Sequence, residues 1–175
     1  MSIYGPSVIF SDENMESGSE EVECLFEAVE AGKDVHFVSS LLSRGADVNG
    51  TNSTGKTCLM QAVTKENMDM IKLLLRKNAK VNLTDDNGQS ALHMSIDRSI
   101  SRKLLEYGAD INLKDVKGRT PLHRAVEEQE VDVARLLLDR GADTSVKDKK
   151  GRTARRLAAA KGQKNLERVI KSYEN

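Results

Sequence analysis

From Thr120 onward the chain places apolar residues at helical spacing. Leu122, Ala125 and Val126 fall at i, i+3 and i+4, one stripe of a short helix. After a break at Gln129, Val133, Leu136 and Leu137 form a second stripe. Thr120 stands where a hydroxyl can cap the free N–H groups of the first turn. Pro121 takes the first helical position, where its missing N–H costs nothing. Gly141 ends the second helix, where a left-handed residue is favoured. Similar stripes occur upstream, in CLFEAV, FVSSLL, MIKLLL and SRKLL. Each predicted helix is too short to persist alone. Stacked side by side, such pairs share one continuous core.

The pairs recur in phase. Gly55, Gly88, Gly118 and Gly151 lie 33, 30 and 33 positions apart, and each is followed two residues later by Thr57, Ser90, Thr120 or Thr153. The segments read GKTCLMQAV, GQSALHMSI, GRTPLHRAV and GRTARRLAA. A second landmark runs RGADVN (44–49), KNAKVN (77–82), YGADIN (107–112) and RGADTS (140–145). A repeat of this period marks a solenoid.

These segments resemble the ankyrin repeat, with its T-P-L-H opening, V-x-L-L-L second helix and G-A-D-V-N end. Residues 114–146 make the best single unit, and the resemblance covers roughly residues 21–175. It implies an all-α ankyrin-repeat solenoid of about five helix-turn-helix units, joined by hairpin loops and closed by terminal caps. The units are expected at 21–50, 51–83, 84–113, 114–146 and 147–175, after an acidic, flexible segment at 1–20. The third unit is short: Ala91 to Gly108 spans 17 positions, Pro121 to Gly141 spans 20. About one helical turn is missing around IDRSIS. Ankyrin-type inhibitors of cyclin-dependent kinases also carry a shortened first helix in one repeat; the deletion here is larger.

Composition agrees with this architecture. Of 175 residues, 38% are apolar and only 3% aromatic, with no Trp, which suits thin layers of Leu, Val, Ile and Ala. Net charge is zero, so no global pull toward nucleic acid or acidic membrane is expected. The charge is uneven along the chain. Eight acidic residues and no basic one precede Lys33, whereas ten Lys and Arg stand against three Asp and Glu from Lys147 onward. Cys24 and Cys58 suit reduced thiols. No apolar run approaches about 18 residues, and MSIYGPSVIF lacks the basic start and apolar length of a signal peptide. A cytoplasmic, also nuclear, protein is expected.

One stretch points elsewhere. GTNSTGKT, Gly50 to Thr57, satisfies the phosphate-loop pattern. That pattern requires a buried strand before it and a helix after it. Here Gly50 follows a unit end and Gly55 is the repeat glycine, so an exposed hairpin is expected instead. His93 and His123 occupy the His of T-P-L-H and are expected to tie loops to neighbouring units. Asp47, Asp110 and Asp143 read as turn formers. ESGSEE (16–21) has a serine-and-acid composition reminiscent of degrons, but its spacing fits a solvated tail. KDKKGRTARR (147–156) overlaps a hairpin and helix start, and a solvated face is expected rather than a nuclear-import signal.

The resemblance implies a non-enzymatic protein–protein interaction module, a stand-alone inhibitor or adaptor that sequesters a partner. The versions are an inhibitor of Rel-type transcription factors, including a virus-encoded form, and a kinase inhibitor. The rivals are a nucleotide-binding enzyme using Gly50–Thr57 and a nucleic-acid binder using the basic end. A monomer without cofactor, metal or membrane association is expected. By register, the partner-binding candidates are the hairpin tips Ser53 and Thr54, Asp86 and Asn87, Val116 and Lys117, Lys149 and Lys150. The helix positions Gln61, Met94 and Arg124 are expected to be exposed beside them.

Overall fold

From Val35 onward, each helix starts after a hydroxyl, carboxylate or amide side chain that precedes its apolar stripe. A computed structural model of the chain describes residues 25–174; Val22, Cys24, the ESGSEE segment and Asn175 lie outside the described residues. The helices are α1 (25–30), α2 (Val35–Ser43), α3 (Cys58–Thr64), α4 (Met68–Arg76), α5 (Ala91–Met94), α6 (Arg98–Glu106), α7 (Pro121–Glu128), α8 (Val131–Asp139), α9 (Ala154–Ala160) and α10 (Lys164–Lys171). Among the described residues no strand forms; one isolated antiparallel bridge joins Thr51 and Thr57. The architecture is the expected all-α solenoid.

Caps set the helix starts. Asp34, Thr57, Asn67, Asp97 and Thr153 each accept an N–H from the first turn. Ser90 and Thr120 form capping boxes with His93 and His123. Pro121 sits in the first turn of α7, and Gly141 is left-handed with φ of 84°.

First helices α3, α5, α7 and α9 pack in one row, and second helices α6, α8 and α10 in another, with α2 against α4. Between the rows runs one core that includes Leu25, Val38, Leu59, Ile71, Leu104, Leu137 and Ile170. It is continuous from the first pair to the last, as a stack of individually unstable units requires.

The short third unit is visible as a short helix. α5 has 4 residues where α7 has 8. The chain leaves it in extended conformation at Ser95 and re-enters a helix after Asp97. The partner helix is altered too. Ser101 stands where α4 and α8 bury Ile71 and Ala134, and Lys103 stands where they bury Leu73 and Leu136. The space holds a polar contact: Ser95 Oγ and Ser101 Oγ are 2.8 Å apart, and Ser101 is fully buried. The α4–α6 junction is the sparsest in the back row.

Candidate functional site

Each hairpin is built by one inward-turned side chain. Three residues before the repeat glycine stand Asn52, Asp85, Asp115 and Asp148. Asp85 Oδ1 accepts the N–H groups of Asn87 and Gln89 at 2.9 and 2.8 Å, and Asp115 and Asp148 accept the matching pairs. The remaining oxygens of Asp115 and Asp148 bind the guanidinium groups of Arg119 and Arg152. Burial acts to raise the pKa of these two carboxyls, but the arginines and backbone N–H groups outweigh it and hold both below the usual range.

Adjacent hairpins are then bonded in series. Asp86 N–H donates to the Thr54 carbonyl, Val116 to Asn87 and Lys149 to Lys117, at 3.2, 2.9 and 2.8 Å. The approach is close enough to require glycine: at Gly88, with φ of 71°, a Cβ would lie 2.9 Å from the Val116 nitrogen. His93 and His123 add a second tie. Nε2 of each lies 3.1 and 3.0 Å from the carbonyls of Arg119 and Arg152, one unit on. A carbonyl only accepts, so Nε2 carries the proton. Nδ1 accepts the N–H of Ser90 or Thr120, which makes both imidazoles neutral. Burial pushes their pKa values down. A third tie comes from Asn49, Asn82 and Asn112, whose side-chain oxygens accept N–H groups of Lys80, Asp110 and Asp143 in the next unit.

The result is a ridge of regularly spaced tips. Ser53, Thr54, Asp86, Asn87, Val116, Lys117, Lys149 and Lys150 are all exposed on it. Met94 is half-buried, with Thr64 Oγ1 against its sulfur. Arg124 is half-buried and engaged by Glu127 and Glu128. All three helix positions fall short of the expected exposure, and Gln61 departs furthest: only 7% of it is accessible. The cause is its helix, since every residue of α3 from Cys58 to Val63 is buried. Register places a side chain on a face, and the neighbouring helices decide how much of that face stays open. Sequence reasoning missed Asp85, Asp115, Asp148 and the Asn ladder. The readable signal was an Asp three before each of the last three glycines, with Arg following the last two.

GTNSTGKT lies in the first of these hairpins. Asn52 Oδ1 accepts the N–H groups of Thr54 and Lys56, the Asn52 carbonyl accepts that of Gly55, and Thr57 Oγ1 that of Met60. The N–H groups of Thr54, Gly55 and Lys56, which a phosphate loop would turn toward its ligand, are taken by Asn52 instead, and a bridge rather than a buried strand precedes α3. Among the described residues, no group of His, Cys, Asp and Glu is arranged to hold a metal, and no helix is long and apolar enough to cross a membrane.

A family model for ankyrin repeats in three copies matches residues 25–115 and 100–174. The chain belongs to the ankyrin-repeat family. That family is generally a protein-interaction module. Similar stretches occur in the human transient receptor potential cation channel subfamily A member 1, 34% identical over 65 residues, which is 37% of this chain and 6% of the channel subunit. The mouse B-cell lymphoma 3 protein homolog is 38% identical over 61 residues, 34% of this chain and 14% of that protein. The Danio rerio Notch-regulated ankyrin repeat-containing protein A is 33% identical over 72 residues, 39% of this chain and 64% of that protein. Each match covers less than two thirds of the relative's length, so ankyrin-repeat sequence is what they share.

Proposed function

We propose that this ankyrin array is a non-enzymatic docking protein that sequesters one partner, as inhibitor or adaptor, through the hairpin ridge and the adjoining first helices. One observation carries the reading. The inward-turned side chains that build the ridge repeat from unit to unit, whereas the outward ones change: Ser53 and Thr54, then Asp86 and Asn87, Val116 and Lys117, Lys149 and Lys150. A constant frame carrying varied exposed residues suits recognition of one particular surface. An enzymatic role at Gly50–Thr57 conflicts with the hydrogen bonds already made there. We place the protein in the cytoplasm, with access to the nucleus, as a monomer before it meets its partner.

Site-specific photo-crosslinking in the native cell tests this. A crosslinking residue at Asn87 or Lys117 should capture the same protein, and one at Lys72 or Arg135, exposed on the back helices α4 and α8, should not. Capture from the back positions alone would overturn the reading.

A further inference from the structure

We propose that the C-terminal half of the ridge binds an extended acidic segment of the partner protein, with carboxylates on Lys117, Lys147, Lys149 and Lys150 and an apolar side chain on Val116. This rests on the docking reading above and gives its partner a chemistry. In sequence, the hairpins KDVKGR and KDKKGR look mixed in charge. In three dimensions they are not. Asp115 and Asp148 are 5% and 6% accessible and are held by backbone N–H groups and by Arg119 and Arg152. Their charge is spent inside the loop. The four lysines are exposed, and none has a carboxylate within ion-pair distance among the described residues. The strip begins abruptly, because the preceding tip carries exposed Asp86.

The lysines are also held in line. The bond from Lys149 N–H to the Lys117 carbonyl fixes one tip beside the next. Packed helices lie roughly 8–10 Å apart, and an extended chain advances about 3.3 Å per residue. Carboxylates about three residues apart on an extended segment therefore match successive tips. Val116, 46% accessible beside Lys117, offers an apolar seat within the charged strip. Lysine supplies mobile point charges suited to carboxylates. Neither hairpin, 114–119 or 147–152, contains an aromatic ring on which a base could stack, and the nearby Tyr173 is tied to Asp139 through its hydroxyl, so protein is favoured over nucleic acid. Six of the 27 acidic residues precede Leu25 and no basic residue does, so residues 25–174 carry 27 Lys and Arg against 21 Asp and Glu. The array itself is thus basic although the whole chain is neutral.

The test uses the full chain and a fluorescein-labelled 12-residue peptide with Glu at every third position and one central Leu, followed by anisotropy at low and high salt. Binding should weaken as salt rises. Lys117→Glu, Lys149→Glu and Lys150→Glu should each weaken it about threefold or more, and the triple variant by at least about thirtyfold. Lys72→Glu and Arg135→Glu should leave it unchanged. A peptide of the same composition with its Glu residues contiguous should bind several-fold more weakly. Absence of wild-type binding, equal loss in the back variants, or tighter binding of a 12-nucleotide single-stranded DNA or of phosphatidylserine vesicles would overturn the proposal. So would binding that appears only after Asp12, Glu13, Glu16, Glu20, Glu21 and Glu23 are changed to amides, since the chain's own acidic segment would then be the occupant. If ridge positions crosslink the native partner but the lysine reversals leave its capture intact, the acidic-segment proposal fails and the docking reading stands. Capture from the back helices alone defeats the docking reading whatever the peptide does.

Discussion

Cys58 is the first residue of α3, which is buried from Cys58 to Val63, and burial pushes its thiol pKa up to about 12. Almost no thiolate exists at pH 8, and the thiolate is the reactive form. In a Cys24→Ser background, native protein should resist a disulfide-exchange reagent at pH 8 while the urea-unfolded chain reacts fully. Prompt labelling of native protein would mean that α3 opens readily. His93 and His123 give a second expectation at this scale. Burial keeps them neutral in the fold, whereas in the unfolded chain they gain protons below about 6.5. Stability should therefore be fully present above that pH and decline as pH falls toward the lowered native values. The urea midpoint should drop between pH 7.5 and 5.5, and the drop should shrink in a His93→Gln, His123→Gln variant. Asp115 and Asp148 act in a lower window. Their folded pKa values lie below the usual range, so their contribution is present above about pH 4 and is lost on further acidification. Leu137→Ala, at a position with no accessible surface, should cost about 2–5 kcal/mol by leaving a cavity. Val116→Ala on the ridge should cost well under about 1 kcal/mol. Equal thermal shifts for the two would contradict the register.

At the scale of elements, what the chain disclosed in advance was whatever repeats. Apolar stripes, hydroxyl caps and glycines recur at fixed positions, so helix pairs and hairpins were legible. The lost turn of α5 was legible for the same reason, as a gap between Ala91 and Gly108. What fills the gap was not, because Ser95 and Ser101 belong to no repeated motif and meet only in three dimensions. Gln61 was misplaced because its burial depends on neighbouring helices rather than on its own register. The Ser95–Ser101 pair has a measurable signature. Ser95→Ala leaves the buried Ser101 hydroxyl without this partner and should cost about 1–3 kcal/mol. Ser101→Ala leaves Ser95 its contact with the Asp97 carbonyl and should cost less. The double variant should fall short of the sum, and strict additivity would show that the contact contributes nothing. With only four residues in α5 and a sparse α4–α6 junction, amide exchange in α5 and α6 should be faster than in α3, α4, α7 and α8. Equal protection would make the shortened unit energetically silent.

Across the whole molecule, one core supports two unlike surfaces. The back consists of second helices, and the front is a ridge locked tip to tip by backbone hydrogen bonds, buried carboxylates and neutral histidines. Because the lock uses inward groups alone, outward residues are free to differ, and that freedom is what recognition needs. The most direct measurement of this account is amide-exchange footprinting of the chain with its native partner bound. It predicts added protection at 53–54, 86–87, 116–117 and 149–150 and along α3, α5 and α7, with the solvent-facing side of α4, α6 and α8 unchanged. Protection confined to the second helices, with the tips exchanging as in the free chain, would contradict it.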